Sequence, residues 1–325
     1  MGVTVEEYSP ARVHAQSRPD GDGDPMAKGP TTEAAIHEYL RERSRLSWAP
    51  TTTVTARWVL LDFVKFAPPL MQSVRRKHVV KWLTAARRGR VLAPSTQRTR
   101  LSTLRAFGDW AVEQRYAPGN PTRGVLVQTE RRRKPRSVPP DSPPSIIDVC
   151  LTSRQKAIVL TSLHLGLRRA ECAGAMIEDL DIDRRVLFVV GKGGFEDWLP
   201  MPLEALDAVT EYLSEYPAQN GPLFRSFTTG RALTPAWIGR LVSRTLYDAG
   251  VKVRAYDGMT MHSLRHRFTL DVLESVRDPN LARKATRHRS WSGFQPYTDA
   301  TVGVETLREI IGERTYATPR PATGA

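Results

Sequence analysis

The sequence predicts a mainly α protein in two domains, a helical bundle followed by an α+β domain with one small β-sheet. Three observations predict it. Apolar residues recur at helical spacing over most of the 325 residues. A basic, proline-containing stretch near residue 135 interrupts that pattern. One hairpin pattern, and only one, stands out in the second half.

Each element has its own signal. Residues 1–30 are rich in Gly, Pro and Asp and aperiodic, the composition of a disordered segment. Residues 31–125 read as a bundle of four helices. Thr31 and Thr32 precede Glu33 and start the first helix, which runs through Leu40. The second follows Thr51 and Thr52, with Val54, Trp58, Leu61 and Val64 at helical spacing until Pro68. Val79, Val80, Trp82 and Leu83 mark the third. The fourth begins after Pro94–Ser95, carries Leu101, Leu104, Phe107 and Trp110, and stops near Pro118–Gly119. Aromatics at these spacings read as core. Residues 126–143 form a basic, extended linker. In 144–325, helices are expected near 154–165, 169–177, 202–215, 235–249, 262–275, 279–287 and 302–313. The hairpin pairs 185–190 with a return strand at about 198–201, around the Gly-Lys-Gly-Gly turn at 191–194.

The net charge of +14 is unevenly placed. Residues 31–125 hold 17 Lys/Arg against 6 Asp/Glu, whereas 144–325 hold 23 against 21. A polyanion is the natural partner of such an excess, because each phosphate contact releases condensed counterions. The cationic residues assigned to a phosphate-tracking face are Arg75, Arg76, Lys77, Lys81, Arg87, Arg88, Arg98 and Arg100, with Arg131, Arg132, Arg133 and Lys134 in the linker. Arg90 and Arg105 share the exposed faces. No basic amphipathic helix with exposed aromatics points to a membrane surface. There is no apolar leader, no run long enough to span a bilayer, and no disulfide or metal spacing for the two cysteines. A reduced, cytoplasmic setting is expected.

The second half holds an ordered set of side chains suited to phosphodiester chemistry. Such a reaction needs a nucleophile, cations to hold the phosphorane, and an acid for the leaving oxygen. Arg168 lies in Gly166-Leu167-Arg168-Arg169-Ala170-Glu171, at a turn into a helix, where Glu171 can brace it one turn on. Lys192 sits at the hairpin tip. His262-Ser263-Leu264-Arg265-His266 puts His262, Arg265 and His266 on one helical face. His288 follows, and Tyr297 comes nine residues later in a segment of poor helical character. Taken singly, Arg168 reads as a surface arginine, Lys192 as a turn residue and Tyr297 as a core tyrosine. His262 and His266 resemble a zinc pair but lack the glutamate after the first histidine. Their order and spacing together favour a single site.

That order resembles the tyrosine recombinase, or phage integrase, family across the whole second half. The basic bundle resembles that family's core-DNA-binding domain. The resemblance implies a C-shaped clamp on double-stranded DNA, and strand transfer through a 3′-phosphotyrosyl intermediate and a Holliday junction. Arg168 and Arg265 would hold the scissile phosphate, and Lys192 would protonate the 5′-oxygen. His262 would serve acid/base chemistry, His288 would hydrogen-bond the phosphate, and Tyr297 would attack it. Glu171 and His266 would support them. No metal, ATP or other cofactor is implied. The implied assembly is a homotetramer on synapsed sites, with room for an accessory or directionality protein. A short amphipathic helix at 302–312 would dock on a neighbouring protomer. The residues before the bundle are too few for an arm-site-binding domain. Two features depart from the family pattern: Thr286–Arg287 stands where Leu-Gly is common, and Pro296 directly precedes Tyr297. Phage or mobile-element integration and excision is the expected function. Chromosome- or plasmid-dimer resolution, type IB topoisomerase activity and a catalytically idle DNA-binding regulator are the alternatives.

Overall fold

The computed structural model describes residues 29–46, 48–86, 89–128, 135–191, 193–255 and 257–301. The chain divides into two compact units, Met1–Arg131 and Arg132–Ala325. Of the segment 1–30 expected to be disordered, residues 1–28 lie outside the described residues, as does the expected helix at 302–312.

Among the described residues of the first unit four α-helices pack: α1 (Thr32–Arg45), α2 (Pro50–Val64), α3 (Arg76–Thr84) and α4 (Pro94–Glu113). Thr31 caps α1, its hydroxyl accepting the Ala34 N–H at 3.1 Å. Ile36, Tyr39, Val59, Leu60, Phe63, Trp82, Leu104, Phe107 and Trp110 fill the core. Tyr39 meets Phe107 and Trp110 with ring centroids 5.5 and 5.3 Å apart.

Two expectations for this unit are corrected. Val54 and Trp58 do not face the core: they are 67% and 60% exposed. The buried stripe of α2 is Ala56, Val59, Leu60 and Phe63, another i, i+3, i+4, i+7 series on the same apolar helix. Arg100 is likewise no surface cation. It is 1% exposed, with Nη1 on Asp62 Oδ2 at 2.8 Å and its guanidinium between the Trp58 and Trp82 rings. Asp62 also accepts the Trp82 indole N–H at 3.0 Å. A buried arginine needs such a partner, so Arg100 belongs to the bundle core and leaves the phosphate-tracking set.

The second unit begins within the predicted linker, where Val138 is buried and its N–H reaches Ser263 O at 3.4 Å. Its helices among the described residues are α5 (Pro143–Asp148), α6 (Ser153–Leu165), α7 (Arg169–Gly174), α8 (Leu203–Glu215), α9 (Pro235–Asp248), α10 (Met261–Val276), α11 (Pro279–Ala285) and α12 (Trp291–Thr301). Almost every residue of α6 is buried, and α8 and α10 pack on it. The sheet has three antiparallel strands, β1 (Leu180–Asp181), β2 (Val186–Val190) and β3 (Glu196–Pro200), in the order β1-β2-β3. Leu187 pairs with Leu199 and both face the core, while Phe188 and Trp198 pair on the other face. Gly193 and Gly194 take φ of 85° and 75° in the turn, values that favour glycine. α12 is a correction: the Tyr297 segment is helical despite Pro296, because Phe294 and Tyr297 pack with Leu273 and Ala282. No helix among the described residues is long and apolar enough to cross a membrane.

Candidate active site

Four segments of the second unit meet at one open cleft of about 510 Å³. The first is the turn from α6 into α7. Gly166 ends α6 with φ 59°, and a Cβ there would lie 2.3 Å from the Phe268 ring. Its carbonyl accepts a hydrogen bond from Arg265 Nη1. Arg168 occupies the N-cap position of the following helix. Glu171 folds back on it, accepting the Arg168 backbone N–H at 2.9 Å and Nη1 at 2.6 Å. A carboxylate is favoured at this helix end, where backbone N–H groups lack intrahelical partners.

The second segment is α10. Thr260 caps it and the Ser263 hydroxyl returns to the Thr260 N–H at 3.1 Å. The loop before it is pinned by Asp257, which takes Lys252 Nζ at 2.8 Å and the N–H groups of Val253, Arg254 and Met259. Met261 and Leu264 point into the core. His262, Arg265 and His266 turn the other way and line the cleft. Arg265 is 1% exposed; besides Gly166 it bonds Thr286 O at 2.8 Å. Two of its five N–H bonds are thereby used, and the fork is fixed.

The third segment follows α11. The Thr286 hydroxyl meets His288 Nδ1 at 2.8 Å and orients that ring. The fourth is α12. Tyr297 is buried at 3% exposure, and its Oη lies 2.6 Å from His266 Nδ1. The His288 ring stands 5.2 Å from the Tyr297 ring, and the His262 ring 4.4 Å from that of His266.

The electrostatics follow from burial and from the cations. Burial, His262 and Arg265 bring His266 down to about 4. Burial, Arg265 and Arg168 bring His288 to about 3. His262, half-enclosed by the cleft walls and beside Arg265 and Arg168, is lowered too. At neutral pH the three rings are neutral and can accept hydrogen bonds. Burial raises Tyr297, against the pull of Thr269, Arg265 and Arg168. Burial, with Arg168 and Arg287 nearby, lowers Arg265 to about 10. Burial would raise Glu171, but Arg287 and the Arg168 bonds outweigh it and hold the carboxyl below its usual range.

Lys192 lies outside the described residues. The hairpin beside it reaches the site, since a Cβ on Gly191 would lie 3.5 Å from Glu171 Oε1. Arg289 ties β3 to the segment carrying His288: its guanidinium sits 4.1 Å over the Phe195 ring and 3.3 Å from Asp197 Oδ2. Two arginines, one lining the cleft and one behind it, had no assigned catalytic role in the sequence. Arg136 lines the cleft against Gly258, where no Cβ would fit. Arg287 pairs with Glu171 at 3.2 Å. No group of three His, Cys, Asp or Glu that could hold a metal occurs among the described residues.

The model of the phage integrase family matches residues 137–303, a span that includes every residue of this cleft except Pro135 and Arg136. The chain belongs to the phage integrase family of tyrosine recombinases. Two curated members are similar along much of their length. Tyrosine recombinase XerC of Salmonella typhi is 29% identical over 227 residues, covering 68% of this chain and 74% of the relative. XerC of Escherichia coli O127:H6 is 27% identical over 274 residues, 81% and 90% respectively. Among solved structures, a lambda integrase dimer bound to a COC′ core site matches 83% of this chain and 96% of its own, with TM-score 0.69 and 14% identity. The Tn1549 transposon integrase with circular intermediate DNA matches 87% and 99%, with TM-score 0.68 and 18% identity. These likenesses show the recombinase fold.

On the bundle of this family member, Arg75, Arg76, Lys77, Lys81 and Arg98 are exposed. Arg87, Arg88, Arg131, Arg132, Arg133 and Lys134 lie outside the described residues.

Proposed function

We propose that the chain is a site-specific DNA recombinase that cleaves and rejoins strands through Tyr297, in integration and excision of a mobile element. One observation carries the reading: the Tyr297 hydroxyl is held by a neutral histidine inside a cleft walled by Arg168 and Arg265. With its proton on Nε2, His266 accepts the phenol proton at Nδ1 as Oη attacks phosphorus. This gives His266, which the resemblance implied only as a supporting residue, a share in the acid/base chemistry it implied for His262. A base of such low pKa is weak in the empty site. The negative phosphate between the arginines raises its basicity when the proton must move. Arg168 and Arg265 neutralise the charge of the phosphorane and His288 donates to it. The 5′-oxygen leaves with a proton, for which Lys192 is the candidate donor. A 5′-hydroxyl of the partner duplex then attacks the phosphotyrosine and the proton steps reverse. Bond energy is kept in the covalent intermediate, so the reaction needs neither ATP nor a metal.

Two strand exchanges require four protomers on two duplexes. A lambda integrase tetramer bound to a Holliday junction has the same fold, at TM-score 0.65. The XerC relatives favour a second reading, resolution of chromosome or plasmid dimers; reaction only with a second, related recombinase would support it. The test is a nicked suicide substrate resolved on a denaturing gel. Wild type gives a covalent protein–DNA band, and Tyr297→Phe binds DNA but gives none. A band that persists in Tyr297→Phe, or that maps to Tyr316, refutes the assignment.

A further inference from the structure

Arg287 occupies a backbone position it should avoid. Its φ is 57°, a left-handed conformation that disfavours any side chain with a Cβ. Residues held this way persist where surrounding contacts over-determine them. The residue is 8% exposed and its side chain runs back behind the cleft, where Nη2 bonds Leu165 O at 3.3 Å and Glu171 Oε2 at 3.2 Å. Glu171 is itself 4% exposed and gives its other oxygen to Arg168 Nη1. Arg168 is the less constrained end, its side chain 36% exposed at the cleft.

We propose that Arg287 is a positioning residue of this site: it grips one oxygen of the Glu171 carboxylate, so that the other holds the Arg168 guanidinium toward a phosphodiester oxygen. The inference rests on the strand-transfer reading for its consequence, but the contact itself does not. Without Arg287, a buried carboxylate would face one half-exposed arginine and could rotate or take up a proton. Either change releases Arg168, whose fork must be aligned before the phosphate arrives. Among the described residues, the charged and titratable groups around Glu171 are Arg168 at the start of α7, Cys172 beside it, Arg265 from α10 and Arg287 after α11. The hairpin adds the Gly191 backbone. Arg287 and Arg168 together keep Glu171 ionised against its burial, with the charge of Arg287 the largest single contribution.

The variants are Arg287→Gly, which the backbone favours, Arg287→Met, which keeps the bulk, and Arg287→Lys, which keeps the charge. Two readouts are taken on the full chain: the Glu171 carboxyl titration by 13C NMR, assigned with Glu171→Gln, and single-turnover cleavage of the suicide substrate. In Arg287→Gly and Arg287→Met the Glu171 titration should move up by about one pH unit or more. Cleavage should fall by about tenfold to a hundredfold, the scale for a misplaced catalytic group, with the DNA Kd little changed. Arg287→Lys should recover part of both. A titration that stays in place, or a wild-type cleavage rate in both neutral variants, overturns the proposal and leaves Arg287 as filler. If the wild type forms no covalent band, the strand-transfer reading fails, and the titration still decides whether Arg287 holds Glu171.

Discussion

Gly166 joins the fold and the site, which makes Gly166→Ala a demanding test of the geometry. The residue ends α6 in the left-handed region, and an alanine there costs about 1–2 kcal/mol. The new methyl would lie 2.3 Å from Phe268 Cδ1, with Cε1 and Cγ at 2.8 and 3.1 Å. The whole ring must shift, and displacement of that kind costs about 1–3 kcal/mol. Together these destabilise the second unit by about 2–5 kcal/mol. For a unit spanning Arg132–Ala325, each kcal/mol lowers Tm by about 2–4 °C, so the drop should be roughly 4–20 °C. Calorimetry of the full chain reads it, with Gly174→Ala as control. Gly174 has ordinary φ and nothing near its Cβ, so that change should be neutral or stabilise by up to about 1 kcal/mol. Gly166 also carries the carbonyl that anchors Arg265, so cleavage should fall at temperatures where the variant is still folded. A Tm within about 1 °C of wild type would refute the argument.

Two further predictions concern stability. His266 and His288 have folded pKa values of about 4 and about 3, below the roughly 6.5 of a free histidine. The unfolded chain binds protons that the fold refuses, so stability is complete above about pH 6.5 and declines as pH falls toward 4 and 3. His288→Gln should flatten the Tm–pH curve between pH 6.5 and 4, and an unchanged slope would contradict the assignment. In the bundle, Asp62→Ala removes the carboxylate shared by Arg100 and Trp82, and should destabilise the first unit by about 3 kcal/mol or more. Urea unfolding followed by tryptophan fluorescence measures it, and a loss under about 1 kcal/mol would show the pair to be dispensable.

What the sequence made legible was local. Glu171 lies one helical turn from Arg168, and His262, Arg265 and His266 lie one turn apart, so spacing alone placed them together. The stripe of α2 was misread because two apolar series fit one helical period, and only the neighbouring helices choose between them. Arg100 and Arg287 were hidden for another reason. Their carboxylates lie 38 and 116 residues away in the chain, and no periodicity reports on such pairs. The helicity of α12 was equally remote, since burial of Phe294 and Tyr297 overrides a proline that local preference rejects.

That proline has a consequence for motion. Pro296 has no N–H, so α12 lacks the bond that would tie residue 296 to the carbonyl of Ser292, and the ring crowds that carbonyl. The turn carrying Tyr297 is therefore secured by side-chain burial and by His266 more than by its backbone ladder. Segments so held open at a free energy below that of global unfolding. Amides of residues 297–300 should exchange with deuterium well before those of α6. Tyr297, the nucleophile proposed above, would thus ride on a part of the molecule that can come loose and reseat, whereas Arg265 is tied to the Gly166 and Thr286 carbonyls.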